Sequence, residues 1–96
     1  MRKLAAGNWK MNGTVASLAE VAALIAAQPD PSCEMLLCPP ATLISAMAQA
    51  AHGSALQVGA QDCHPKASGA HTGDLSAPML ADVVMDRVCE SAAAVL

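Results

Sequence analysis

The heptapeptide GNWKMNG, Gly7 to Gly13, sets Lys10 between two asparagines and two glycines, beside Trp9, the only aromatic residue in the chain. A lysine in a loop is ordinarily a solvated charge. An ammonium held in place by its surroundings does different chemistry. It favours an anion, either a bound phosphate or an oxygen that gains negative charge during a reaction. Asn8, which both donates and accepts hydrogen bonds, is the neighbour suited to hold the lysine stem.

Other reactive side chains form weaker patterns. His64 and His71 lie in a polar stretch, QDCHPKASGAHTGD from Gln61 to Asp74, where a structural hydrogen bond is their ordinary use. His52 is expected to cap or flank a helix end. The four cysteines, Cys33, Cys38, Cys63 and Cys89, contain no C-x-x-C pair and read as buried or idle thiols. Grouping Cys63 with His64, His71 or His52 gives spacings that match no standard zinc pattern, so no metal is expected. Neither G-x-x-x-x-G-K-[ST], G-x-G-x-x-G nor G-x-S-x-G occurs, which argues against nucleotide binding at the first loop and against a serine hydrolase.

Several apolar runs and periodic segments would position these residues. Lys3 to Gly7, Met35 to Cys38 and Leu56 to Ala60 are short apolar runs bounded by turn formers, as buried strands are. Between them, Val15 to Ala27 sets Leu18, Val21, Ala22 and Ile25 at helical spacing, with Ser17 and Glu20 suited to a capping box. Pro29 and Pro31 stop that helix. A second helix is expected from Ala41 to Ala51, with Pro39 and Pro40 before it and Gly53 after it. A third opens at Ser76. Its four-residue repeat of Leu80, Val84, Val88, Ala92 and Leu96 predicts helix to the last residue.

Strands alternating with helices imply crossover connections and a parallel sheet covered by helices. In such sheets ligands gather at the carboxyl ends of the strands, where Lys10 falls. The stretch from Gln61 to Asp74 is longer than most strand-to-helix connections, and long ordered loops tend to bind something.

Composition bounds the function. The 96 residues are 54% hydrophobic and carry a net charge of −3 at pH 7. That charge favours neither nucleic acid nor an anionic membrane. No apolar run approaches the roughly 20 residues needed to span a bilayer, and the first residues lack a signal-peptide core. A soluble, cytoplasmic protein of one domain, residues 1–96, is expected.

GNWKMNG after the first strand, LCPPATLI at 37–44 and VGAQDCHPKASGAHTGDLSAPML at 58–80 closely resemble the triosephosphate isomerase family, in the same order and at the same separations. The resemblance covers residues 3–82 and leaves 83–96 as a divergent, helical tail. It implies the first three βα units of an eight-stranded (β/α) barrel, here an incomplete barrel with a parallel three-stranded sheet. The family interconverts dihydroxyacetone phosphate and glyceraldehyde 3-phosphate in glycolysis and gluconeogenesis, usually as a homodimer, with no metal or organic cofactor. A glutamate removes the proton beside the carbonyl, a neutral histidine polarises the oxygens, and a lysine stabilises negative charge.

By that resemblance Lys10 is the catalytic electrostatic residue and, with Asn8, binds substrate. Gln61, Thr72, Gly73 and Asp74 belong to a loop that reaches into a partner subunit. The family's histidine, in a G-H-S-E-type motif, and its catalytic glutamate have no counterpart here, because Glu90 lacks the surrounding motif and reads as a solvated helix charge. The chain is therefore expected to be inactive alone, whether residues after Asp82 reflect a frameshift, a deletion or a genuine ending. A rival reading is a non-catalytic fragment that pairs with itself or with a full-length subunit. An unrelated small α/β ligand-binding domain would require all three matched blocks to be accidental.

Overall fold

The computed structural model describes residues 2–83. Three parallel strands, β1 (Leu4–Asn8), β2 (Glu34–Cys38) and β3 (Leu56–Val58), form a sheet in the order β1-β2-β3. Leu4 pairs with Glu34 and Asn8 with Cys38 in one ladder; Met35 pairs with Leu56 and Leu37 with Val58 in the other. Each connection is a helical crossover: α1 (Leu18–Ala27) joins β1 to β2, and α2 (Ala41–Ala51) joins β2 to β3. A short third helix, α3 (Ala77–Val83), follows the long loop. This is the parallel three-stranded α/β sheet that the apolar runs implied.

The core lies between the sheet and the helices. Val21 from α1, Met35 from β2, Ile44, Met47 and Ala51 from α2, Leu56 and Val58 from β3, and Leu80 from α3 form one buried cluster. With one tryptophan and no Phe or Tyr, this core is built from aliphatic side chains and methionine. Unbranched methionine adapts to irregular gaps, and Met47 is 0% exposed at the centre of α2. Among the described residues, no buried side-chain nitrogen or oxygen lacks a hydrogen-bond partner.

Helix limits follow local chemistry. A 3-10 turn, Val15–Ser17, precedes α1, and the N–H of Thr14 donates to Ser17 Oγ at 3.0 Å. The reciprocal cap thus joins Thr14 to Ser17, three residues ahead of the expected Ser17–Glu20 pair. Ser17 is already in the right-handed helical region and makes no side-chain cap to α1. Helix α2 has the expected limits, with extended Pro40 at its N-cap and His52 at its C-cap. Ser76 opens α3 by accepting the Met79 N–H on its Oγ at 3.3 Å. The helix expected over 84–96 and the assignments of Cys89 and Glu90 lie outside the described residues.

Strand β3 is two residues shorter than its apolar run. Gly59 and Ala60 are buried beyond it, and the Gly59 N–H still donates to the Leu37 carbonyl at 2.9 Å. At the amino end of the sheet, the Arg2 guanidinium donates to the carbonyls of Pro31 and Cys33, at 2.6 and 3.2 Å. That contact ties the entry of β1 to the turn ahead of β2.

Candidate functional site

The carboxyl ends of the three strands place Lys10, Cys38 and Gln61 together. Lys10 follows β1 by two residues and has φ of 56°, the only non-glycine with positive φ among the described residues. A left-handed conformation costs a non-glycine residue about 1–2 kcal/mol, so it needs support from outside the loop. Asn8 Oδ1 accepts the Lys10 N–H at 2.7 Å, and Gln61 Nε2 donates to the Lys10 carbonyl at 2.7 Å. Both polar ends of the residue are held. The same Gln61 amide donates to the Cys38 carbonyl at 3.1 Å, and the Trp9 N–H reaches that carbonyl at 3.0 Å.

The rest of the loop closes around Trp9. Asn12 Nδ2 donates to the Trp9 carbonyl at 3.1 Å. Gly13, at φ of 109°, lies so close beneath the indole that a Cβ there would meet ring carbons at 3.0 Å. Glycine is required twice over, by conformation and by space. Trp9 packs against the core while Lys10 is exposed. The arrangement fixes a backbone beneath a cation and leaves the cation itself open to whatever approaches the strand ends.

Gln61 does something the sequence did not disclose. Its carboxamide is turned toward the carbonyls of its own chain, bridging the first loop and the end of β2. A separation of 51 residues leaves no local pattern that could have signalled the contact.

Thr72, Gly73 and Asp74 stand on the exposed part of the long loop. Gly73 has φ of 89°, and the Asp74 N–H donates to the His71 carbonyl at 3.0 Å, closing a turn. At the base of the loop the His64 N–H donates to the Leu75 carbonyl at 2.7 Å. The His64 and His71 rings stack with centroids 3.9 Å apart and planes 25° from parallel. The structure thus joins two histidines for which the sequence suggested only a structural hydrogen bond, and Asp74 joins them as a third potential ligand. Cys63 is half-buried next to His64 in sequence but does not belong to that group.

The thiols differ from one another. Cys38 is buried, whereas Cys33 and Cys63 are only half-buried, so burial holds for one of the three described cysteines. Burial pushes the Cys38 thiol above its ordinary value, and a backbone hydrogen bond with Gly59 opposes the shift. His52 sits at the end of α2, its N–H directed to the Gln49 carbonyl at 3.3 Å. None of the helices among the described residues is long and apolar enough to cross a membrane.

Known proteins share this sequence and fold. The family model for triosephosphate isomerase matches residues 3–89. A triosephosphate isomerase from Dinoroseobacter shibae is 64% identical over 81 residues, covering 84% of this chain and 33% of that protein. One from a Jannaschia species is 65% identical over 87 residues, covering 91% of this chain and 35% of that protein. The crystal structure of triosephosphate isomerase from Bartonella henselae superposes with a TM-score of 0.83 at 42% identity, over 92% of this chain and 37% of that one. The chain spans about a third of the length of the curated relatives it matches.

Proposed function

The chain belongs to the triosephosphate isomerase family, and from that premise we propose that it supplies the electrostatic part of a site that interconverts dihydroxyacetone phosphate and glyceraldehyde 3-phosphate. The observation that carries this reading is the bracing of Lys10, whose N–H and carbonyl are both hydrogen-bonded at 2.7 Å. An ammonium carried on a braced backbone at the strand ends favours the substrate phosphate, and it favours the enediolate oxygen more as charge develops there. Interactions that strengthen toward the transition state are the ones that accelerate a reaction. Asn8 contacts substrate and holds the Lys10 backbone.

The histidine that polarises the oxygens and the glutamate that takes the proton are outside these 96 residues in this reading. A positioned general base is worth about 10²- to 10⁴-fold in rate, so the 96-residue polypeptide is inactive alone. Thr72, Gly73 and Asp74 face a second subunit of a homodimer on the loop that Gln61 opens, although the Gln61 carboxamide itself turns to its own chain; the residues form a single partial barrel domain, and the setting is the cytoplasm. The reaction needs no metal or organic cofactor.

The exposed residues of β1 favour a second reading, a non-catalytic fragment that pairs with itself or with a longer subunit. An isomerase assay separates the two. The chain is assayed alone and after mixing with the separately produced remainder of the Jannaschia relative. Activity that appears only on mixing, and that falls about 10²-fold or more in Lys10→Ala, supports the shared site. Tight association without turnover supports the second reading. Turnover by the chain alone within a few-fold of a complete relative defeats both.

A further inference from the structure

His64, His71 and Asp74 offer two imidazole nitrogens and a carboxylate oxygen that all lie within 4.8 Å of one another. They line a cavity of about 320 Å³ whose other walls include Ser76 and Met79. We propose that this cluster is a binding site for a divalent transition-metal ion of the zinc class.

The ligand chemistry selects the ion. Imidazole suits zinc, copper, nickel and cobalt, whereas calcium and magnesium prefer oxygen ligands alone. Two histidines and one aspartate leave a fourth tetrahedral position for water. Two ligand atoms on one zinc ion stand about 3.3 Å apart, given bonds of about 2.0–2.1 Å. Closing the group onto an ion therefore shortens its separations by about 1.5 Å at most, and it turns the two stacked rings out of parallel so that their in-plane lone pairs meet at the ion.

The backbone on either side is already fixed. The His64 N–H is bonded to Leu75, and the Asp74 N–H is bonded to the His71 carbonyl. Bare Gly69 makes room for the His71 ring, since a Cβ there would come within 2.9 Å of Nε2. The residues come from three points along one loop, so an ion would cross-link it.

Besides the stack, a backbone contact must give way. His64 Nδ1 accepts the Lys66 N–H at 3.0 Å, which places the proton of the neutral ring on Nε2. A metal at Nδ1 displaces the Lys66 amide directly. A metal at Nε2 moves the ring proton to Nδ1 and ends the same hydrogen bond. Either route releases the Lys66 N–H, and no binding through the cysteines would do so.

The inference is independent of the isomerase reading, although Asp74 figures in both. An ion here would order the loop that the proposed dimer presents to its partner.

The test is a titration of the 96-residue chain with Co²⁺ and Zn²⁺. Co²⁺ is expected to give visible ligand-field bands that saturate at a single ion, without the near-ultraviolet charge-transfer band of a thiolate ligand. His71→Ala and Asp74→Asn each weaken binding by about tenfold or more, while Cys63→Ser leaves it unchanged. Circular dichroism establishes that each variant keeps the parent's fold. In the unsubstituted chain, Zn²⁺ should also shift the Lys66 amide resonance. Absence of the bands, bands that persist in His71→Ala, loss of binding in Cys63→Ser, or an unmoved Lys66 amide on saturation with Zn²⁺ would each overturn the proposal. None of these results bears on Lys10 or on the isomerase assay.

Discussion

Removing the Gln61 carboxamide takes a donor from two carbonyls at once, those of Lys10 and Cys38. Because Gln61 is half-buried, water replaces part of what is lost. Gln61→Ala should cost about 1–3 kcal/mol in urea unfolding. Gln61→Glu should cost more near neutral pH, because it turns an acceptor toward two acceptors; equal stability of the two variants would contradict the bracing. Cys38 gives a pH signature. Its folded thiol ionises above its ordinary value, so the unfolded chain loses its proton first as pH rises. The stabilising contribution is fully present below the ordinary thiol value of 9.0 and is lost as pH rises through the folded value. Thermal unfolding should therefore become less favourable to the folded state above that ordinary value in the parent, with a smaller slope in Cys38→Ala. The position of Lys10 and Asn8 at the carboxyl rim was legible because they fall at the end of an apolar run, and a parallel sheet aims that end at its rim. The left-handed backbone at Lys10 was not, since the neighbouring glycines and asparagines adopt positive φ more readily.

Among the elements, α2 was the most legible, with the same limits in sequence and structure. Two prolines cannot extend a helix backward, and Leu43, Ile44 and Met47 mark its buried face. Met47→Ala should cost about 2–5 kcal/mol, as large-to-small changes at fully buried sites do, read from chemical unfolding. An equal substitution at exposed Met11 should change stability by less than about 0.5 kcal/mol. The start of α1 was harder to read, because Thr14, Ser17 and Glu20 present two overlapping cap patterns three residues apart. Backbone geometry chose the earlier one by forming a 3-10 turn first. The histidine cluster was invisible for a different reason. His64 and His71 are seven positions apart in a loop without helical or strand period, and the tie from His64 to Leu75 together with the turn closed by Asp74 brings them face to face.

At the scale of the molecule, β1 pairs with β2 alone among the described strands, and Leu4 is 50% exposed. An open strand edge with apolar side chains invites pairing with another chain. The chain should self-associate in sedimentation experiments at micromolar concentrations, and Leu4→Lys should shift it toward monomer; unchanged sedimentation in that variant would locate the contact elsewhere. The sheet order also has a temporal side. The carboxamide that steadies the first loop arrives 51 residues after the lysine it holds. On the ribosome, that lysine's peptide must wait, already synthesised, until β3 has docked and brought its successor within reach. The oldest part of the chain thus takes its working shape only after a much younger part has been made.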